Sequence, residues 1–130
     1  MPWGRMLRIL LDENIPIGLR SLLAAFDVRT ADEMGWAGIT NGRLLDAAEE
    51  AGFQIMVTAD RNIRAQQRLA GRKIALVVIN TNHWDTLSDN AAAVISACNG
   101  AGEGTYDVVQ LPRRPRRRRP RSGSTPPVTG

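Results

Sequence analysis

Six consecutive apolar residues, Ile74 to Ile79 (IALVVI), stand between Lys73 and Asn80. A run that short cannot span a membrane, and a strand with one wet face would alternate apolar and polar residues. It reads instead as a strand buried on both faces, the condition of a strand inside a parallel sheet. Leu7 to Leu11 (LRILL) and Ile55 to Thr58 (IMVT) have the same character. Val28 to Thr30 is a weaker strand, and Tyr106 to Leu111 (YDVVQL) alternates in the manner of an edge strand.

Between these runs the apolar spacing becomes helical. Pro16 can open a helix that carries Leu19, Leu22, Leu23 and Phe26 at helical spacing. Thr40 or Asn41 can cap a second, with Leu44, Leu45, Ala48 and Ala51 on its apolar face and Gly52 just past its end. A short helix is expected over Ile63–Leu69, stopped by Gly71, and a long one over Thr86–Cys98 with Leu87, Ala91, Val94, Ile95 and Cys98 facing inward. Strands alternating with helices predict an α/β fold: a three-layer α/β/α sandwich around a mostly parallel central sheet, with right-handed crossovers.

The length of 130 residues and the 43% apolar content allow one domain with a genuine core. A single cysteine, Cys98, excludes an intrachain disulfide framework and a cysteine-based zinc cluster, and a single histidine, His83, excludes a histidine-rich metal site. Cys98 itself reads as a small core residue. The longest apolar run near the start is Ile9 to Leu11, far short of a signal-peptide core, so a soluble, cytoplasmic protein is expected.

The net charge of +4 conceals two opposed parts. Seven arginines lie beyond Pro112: Arg113, Arg114, Arg116, Arg117, Arg118, Arg119 and Arg121. Residues 1–112 hold ten basic and thirteen acidic side chains, a net of −3, while the remainder carries +7. The sequence divides accordingly into a domain over residues 1–111 and an Arg/Pro-rich tail over 112–130. That tail has too little apolar surface to fold and is expected to be disordered. It could contact nucleic-acid phosphates, and nothing in it specifies a base.

Ligands of open α/β sheets bind at the carboxyl ends of the strands, near the point where strand order reverses. Asp12, Glu13 and Asn14 follow the first strand, Thr58 and Asp60 close the third, Asn41 opens the helix before it, and Asn80, Thr81 and Asn82 follow the fourth. Oxygen donors without cysteine suit a hard cation such as Mg²⁺ or Mn²⁺. Two carboxylates ending neighbouring strands repel one another unless a cation or a proton lies between them. Singly, Asp12 and Asp60 are ordinary helix caps or turn residues, and Asn14 a cap for the helix near Pro16. Together, on one sheet edge, they point to a site.

The segments ILLDENIP and EMGWAGITNGRLLDAAEEAGFQIMVTAD closely resemble PIN-like proteins of the DUF5615 type, which in turn resemble the toxin nucleases of toxin–antitoxin pairs. The resemblance runs from about Leu7 to the end of the Thr86–Cys98 helix. It implies a metal-dependent ribonuclease in which acidic residues hold Mg²⁺ or Mn²⁺ and water attacks a phosphodiester. By position, Asp12 corresponds to the first acid and Asp60 to the last. Asn14 corresponds to the residue that orients the first acid, and Thr58 to the hydroxyl residue before the last. Glu13 and Asn41 would assist, Asn62 would support the site through its carbonyl oxygen, and Arg61 would contact phosphate. The resemblance also implies an RNA substrate, a small antitoxin covering the acidic cleft, and a homodimer.

Two positions depart from the family pattern. Asn41 stands where relatives carry an acid, and Asp60-Arg61-Asn62-Ile63 replaces D-x-D-F. Asp32, Glu33 and Asp46 are the remaining candidates for a helix-borne acid. Asp46 lies about 140° around the helix from Asn41 and points elsewhere. Fewer carboxylates weaken Mg²⁺ binding. The competing reading is therefore a catalytically depleted PIN-like module that binds nucleic acid or a partner protein. A phosphoacceptor receiver is discounted, because the only lysine, Lys73, precedes its strand. Arg64 reads as solvated surface, His83 and Trp84 as loop residues, and Trp3 and Trp36 as packing or surface residues.

Overall fold

The computed structural model describes residues 7–60, 69 and 71–112. Arg61, Asn62, the helix expected over 63–69 (Leu69 apart) and everything beyond Pro112 lie outside the described residues.

The elements are β1 (Arg8–Leu11), α1 (Leu19–Leu22), β2 (Asp27–Thr30), α2 (Asn41–Glu50), β3 (Ile55–Thr58), β4 (Ala75–Ile79), α3 (Trp84–Asp89), α4 (Ala91–Gly100) and β5 (Tyr106–Val109). The five strands form one sheet in the order β2-β1-β3-β4-β5, with every neighbouring pair parallel. Helices cover both faces, so the expected three-layer α/β/α sandwich is observed. The chain adds β2 on one side of β1 and β3 on the other, which puts the reversal of strand order between β1 and β3.

The two faces are legible along single strands, because successive side chains point opposite ways. Ile9, Leu11, Ile55, Val57, Val77 and Ile79 face the layer of α1, α3 and α4, where Leu19, Leu23, Leu87, Val94 and Cys98 meet them. Leu10, Met56, Leu76 and Val78 face the α2 layer, against Leu44, Leu45 and Ala48. All five residues of β4 are buried, as the IALVVI run requires. Cys98 is fully buried in the first cluster, and burial pushes its thiol up to about 12. Among the described residues, no helix is long and apolar enough to cross a membrane.

Two helices differ from expectation. The one following Pro16 is a single turn, because its entry is built from three-residue steps: Leu19 N–H donates to Pro16 O, Arg20 N–H to Ile17 O and Ser21 N–H to Gly18 O. Such tight turns rarely propagate. Phe26 is buried, but beyond the helix. The long helix expected over Thr86–Cys98 is two helices joined at Asn90, whose backbone leaves the helical region at φ −122° and ψ 29°. The Asn90 Nδ2 donates to Thr86 O at 2.8 Å, beside the residue's own backbone N–H at 3.2 Å, so the last carbonyl bond of the first helix is doubled at its end. Thr40 occupies the N-cap position of α2, but its hydroxyl makes no capping bond.

Ion pairs of Arg8 and Arg72 lie at the amino ends of the strands. Arg8 donates to Ala51 O at 2.6 Å, stacks 4.4 Å above the Phe53 ring and pairs with Asp27. It thereby ties the end of α2 to the sheet edge, where a cation also complements the helix dipole. Trp36 meets Phe53 edge to face. Arg72 bridges Asp46 at 2.6 Å and Glu49 at 2.8 Å, which confirms that Asp46 is directed away from the carboxyl ends. Glu49 also accepts from Lys73 N–H at 2.7 Å, and that bond, helped by Arg72, holds its carboxyl below the ordinary 4.5.

Gly104 turns the chain into β5 at φ +72°, and a Cβ there would stand 3.2 Å from the carbonyl oxygens of Leu69 and Arg72. Gly104→Ala is expected to lower stability by about 1–3 kcal/mol in urea titration, through backbone strain. Val108→Ala, at a side chain 47% exposed, should change it by less than about 0.5 kcal/mol. The pH dependence has a defined sign. Glu49 has a folded-state pKa below its unfolded value, so its stabilisation is complete above pH 4.5 and is lost as pH falls through the folded value. Melting curves between neutral pH and pH 3 should therefore show a shallower acid loss for Glu49→Gln than for the native chain.

Candidate active site

Beyond β1 the backbone keeps its parallel pairing for one more step, with Asp12 N–H donating to Val57 O at 2.9 Å. Asp12 O then accepts from Ile15 N–H at 3.0 Å, which turns the chain toward α1. The Asp12 carboxyl is thus fixed in the crevice between the carboxyl ends of β1 and β3, at the reversal of strand order. It is 6% exposed, and both its oxygens accept hydrogen bonds. Glu13 N–H donates to Oδ1 at 2.7 Å and the Thr58 hydroxyl donates to Oδ2 at 2.7 Å.

Thr58 is the organising residue. It is fully buried as the last residue of β3, and its hydroxyl has one hydrogen and two lone pairs. The hydrogen goes to Asp12. The oxygen accepts from Asp60 N–H at 3.1 Å and, more weakly, from Asn14 Nδ2 at 3.4 Å. Asn14 Oδ1 accepts instead from Ala59 N–H at 3.1 Å. Asn14 therefore crosses from the first strand's loop to the third strand's end and does not cap the helix near Pro16.

The structure thus brings Asp12, Asn14, Thr58 and the Asp60 backbone into one hydrogen-bonded set. Asp60 is half-buried directly after β3. Glu13 is exposed and turns the other way, where its Oε1 accepts from Gly38 N–H at 3.3 Å in the loop before α2. Asn41 is the first residue of α2. Among the described residues, no three His, Cys, Asp or Glu side chains converge as a ready-made metal cluster. The donor chemistry still fits a hard cation. A carboxylate has about four acceptor directions, and internal donors use two of those on Asp12.

Of the remaining candidates, Glu33 bonds Arg20 at 2.6 Å and Thr30 N–H at 2.9 Å, and those bonds hold its carboxyl below the ordinary range. It serves the β2 turn, not the crevice. His83 is exposed at the N-cap of α3. Trp84 opens α3 and is 41% exposed, with its ring against Gly18, where an added Cβ would lie 2.9 Å from two ring carbons. Asn80 is not an open oxygen donor. Its carbonyl accepts from Leu111 N–H at 3.0 Å, and its amide donates to Leu111 O at 3.1 Å and to Gln110 Oε1 at 3.2 Å. The Gly38 and Leu111 contacts are absent from the sequence reading, because backbone partners leave no residue-type signal.

Removing the hydroxyl in Thr58→Val leaves Asp12 Oδ2 and Asp60 N–H without their shared partner. The expected loss is about 1–3 kcal/mol in chemical denaturation, with Thr58→Ser retaining most of the native stability. Comparison with protein-family models, curated proteins and solved structures finds no match to this chain.

Proposed function

We propose that the chain is a metal-dependent ribonuclease of the PIN-like group, the toxin of a toxin–antitoxin pair, and that Asp12 and Asp60 hold Mg²⁺ or Mn²⁺. The observation that carries this reading is the Asp12 carboxyl. It is buried at the strand-order reversal and oriented through both oxygens, by Glu13 N–H and by the Thr58 hydroxyl. Hydrogen bonds to both oxygens hold the carboxylate in one orientation, as positioning partners do for a cation ligand. The bound ion supplies an activated water and offsets charge on the leaving oxygen of the phosphodiester.

In this reading Thr58 and Asn14 are positioning residues. Thr58 aims Asp12, and Asn14 locks the turn after β3 that presents Asp60. Glu13 lends negative charge at the mouth of the crevice, Asn41 and Asn62 offer neutral oxygens, and Arg61 pairs with phosphate. RNA as the substrate, a small antitoxin over the acidic crevice and a homodimer follow from the family resemblance. A cytoplasmic location belongs to the same reading.

A second reading has its own support. The lack of three converging ligands among the described residues, with Asn at 41, favours a depleted module that binds nucleic acid or protein without turnover.

The test is cleavage of a mixed single-stranded RNA pool with Mg²⁺ or Mn²⁺, with chelator as control. Asp12→Asn and Asp60→Asn should each fall to the chelator background, and Thr58→Val should lose roughly 10–100-fold through a misaimed ligand. Asn41→Asp should raise activity or tighten the metal requirement. A folded protein that cleaves nothing with either ion would move the assignment to the depleted module.

A further inference from the structure

The two outer strands of the sheet are finished differently. At β2, Asp27 N–H donates to Leu7 O and Ala31 N–H to Leu11 O, so Asp27, Arg29 and Ala31 face β1 and the backbone groups of Val28 and Thr30 point outward. Those outward groups are stoppered. Arg20 Nη2 donates to Val28 O at 3.2 Å, Thr30 N–H donates to Glu33 Oε1 at 2.9 Å, and Met34 N–H donates to Thr30 O at 3.2 Å. A further strand cannot dock there without displacing Arg20 and Glu33, which also pair with each other. At β5, Leu76 N–H donates to Thr105 O and Asn80 N–H to Val109 O, so Thr105, Asp107 and Val109 face β4. The N–H and C=O of Tyr106, Val108 and Gln110 point outward, and among the described residues none of these six groups has a protein partner.

An open strand edge is a template for another strand. Proteins blunt such edges with lysine, proline or a bulge, and Tyr106–Val109 has none of the three. Its side chains suit pairing as well. Tyr106 packs toward the α2 layer and Val109 toward the layer of α1, α3 and α4. By alternation Val108 lies on the Tyr106 side, where it is one of the exposed large apolar residues of the domain. Asp107 is the one charged residue of the strand.

We infer that β5 pairs with β5 of a second copy of this chain, antiparallel about a two-fold axis at Val108, giving one ten-stranded sheet with five strands from each copy. About that axis Val108 exchanges both backbone bonds with the partner's Val108, and Tyr106 exchanges both with the partner's Gln110. All six outward groups of each strand are then met. Asp107 falls opposite the partner's Val109, and the two Val108 side chains meet across the axis. An axis at Asp107 would set two carboxylates directly opposite each other. An axis at Val109 would set Tyr106 against the partner's Pro112, which has no N–H to donate. Because β2 is stoppered, the joined sheet ends in a closed edge on both sides, and association stops at two copies. This match of groups, charge and closure is what favours a second copy over a strand from another protein. Antiparallel pairing points the two carboxyl edges in opposite directions and leaves both Asp12 crevices uncovered. The inference names an interface for the homodimer proposed above. It rests on that reading only for the expectation of two copies and uses nothing of the crevice chemistry.

The experiment follows the full chain by sedimentation equilibrium over a concentration series reaching about 1 mM, where even weak association registers. Backbone amide exchange is measured by NMR at the two ends of the series. Two variants accompany the native chain. Val108→Pro removes an outward N–H that the domain itself does not use, at an edge position where proline is tolerated. Val108→Lys sets two cations opposite each other across the axis. Each is checked for a native melting curve at the lowest concentration, and the lysine form serves if proline alters the fold.

The native chain should pass from monomer to dimer with a dissociation constant of roughly 1–100 µM, as a small interface implies. The amides of Tyr106, Val108 and Gln110 should slow at least about tenfold at high concentration, while those of Asp107 and Val109, already bonded to β4, change less. Both variants should associate at least about tenfold more weakly. A native chain that stays monomeric throughout would overturn the inference. So would a dimer that survives both substitutions, or one in which the amides of 106, 108 and 110 exchange equally at both concentrations, because the copies would then meet on another face. Species larger than a dimer that grow with concentration would overturn closure by the β2 edge. A chain that dimerises through Val108 but cleaves no RNA leaves the interface standing and removes the ribonuclease reading, and a cleaving monomer does the reverse.

Discussion

The parallel pairing of β1 with β3 places two consecutive chain excursions on opposite sides of one strand. Such a reversal is where open α/β sheets bind their ligands, and the pairing continues one residue past the strand, from Asp12 N–H to Val57 O. Everything at the candidate site inherits its position from this step. Asp12 can be held through both oxygens only because Thr58 ends β3 one residue beyond Val57. Thr58 can serve Asp12, Asp60 and Asn14 together only because it is fully buried at that junction.

Polar work is divided between the two sheet edges. The amino ends hold the ion pairs of Arg8 and Arg72, half-exposed contacts that tie α2 to the sheet and to the turn before β4. Exposed pairs of this kind contribute little individually, and their value here is geometric. The carboxyl ends hold short bonds around buried or half-buried groups, where an unmet donor or acceptor is costly. A change at the amino edge therefore perturbs stability, whereas one at the carboxyl edge perturbs stability and site together.

Much of this was legible before any coordinates. The continuous apolar runs announce β1, β3 and β4 because strands buried on both faces are predominantly apolar. The Leu44, Leu45 and Ala48 spacing announced α2 for the complementary reason. Asp12, Asn14, Thr58 and the Asp60 backbone lie together in one hydrogen-bonded set, and strand ends with residue types suffice to place them on one edge. What the residue types do not reveal depends on backbone partners. One expected helix divides at Asn90, whose backbone leaves the helical region while its side chain bonds Thr86 O, and three-residue steps shorten another. Glu13 turned to the Gly38 amide and Asn80 to Leu111. Each is a competition between a side chain and nearby peptide groups, decided by tertiary distance.

The Thr58–Asp12 bond joins residues 46 positions apart, and every strand pair in the sheet is closed by a crossover, none by a hairpin. Such non-local closure is slow, because loop entropy must be spent before contacts repay it. A nascent or half-unfolded chain can have its helices while Asp12 still lacks Thr58. The site comes into being only when the sheet has closed, so any chemistry it performs is withheld from the chain until folding is finished.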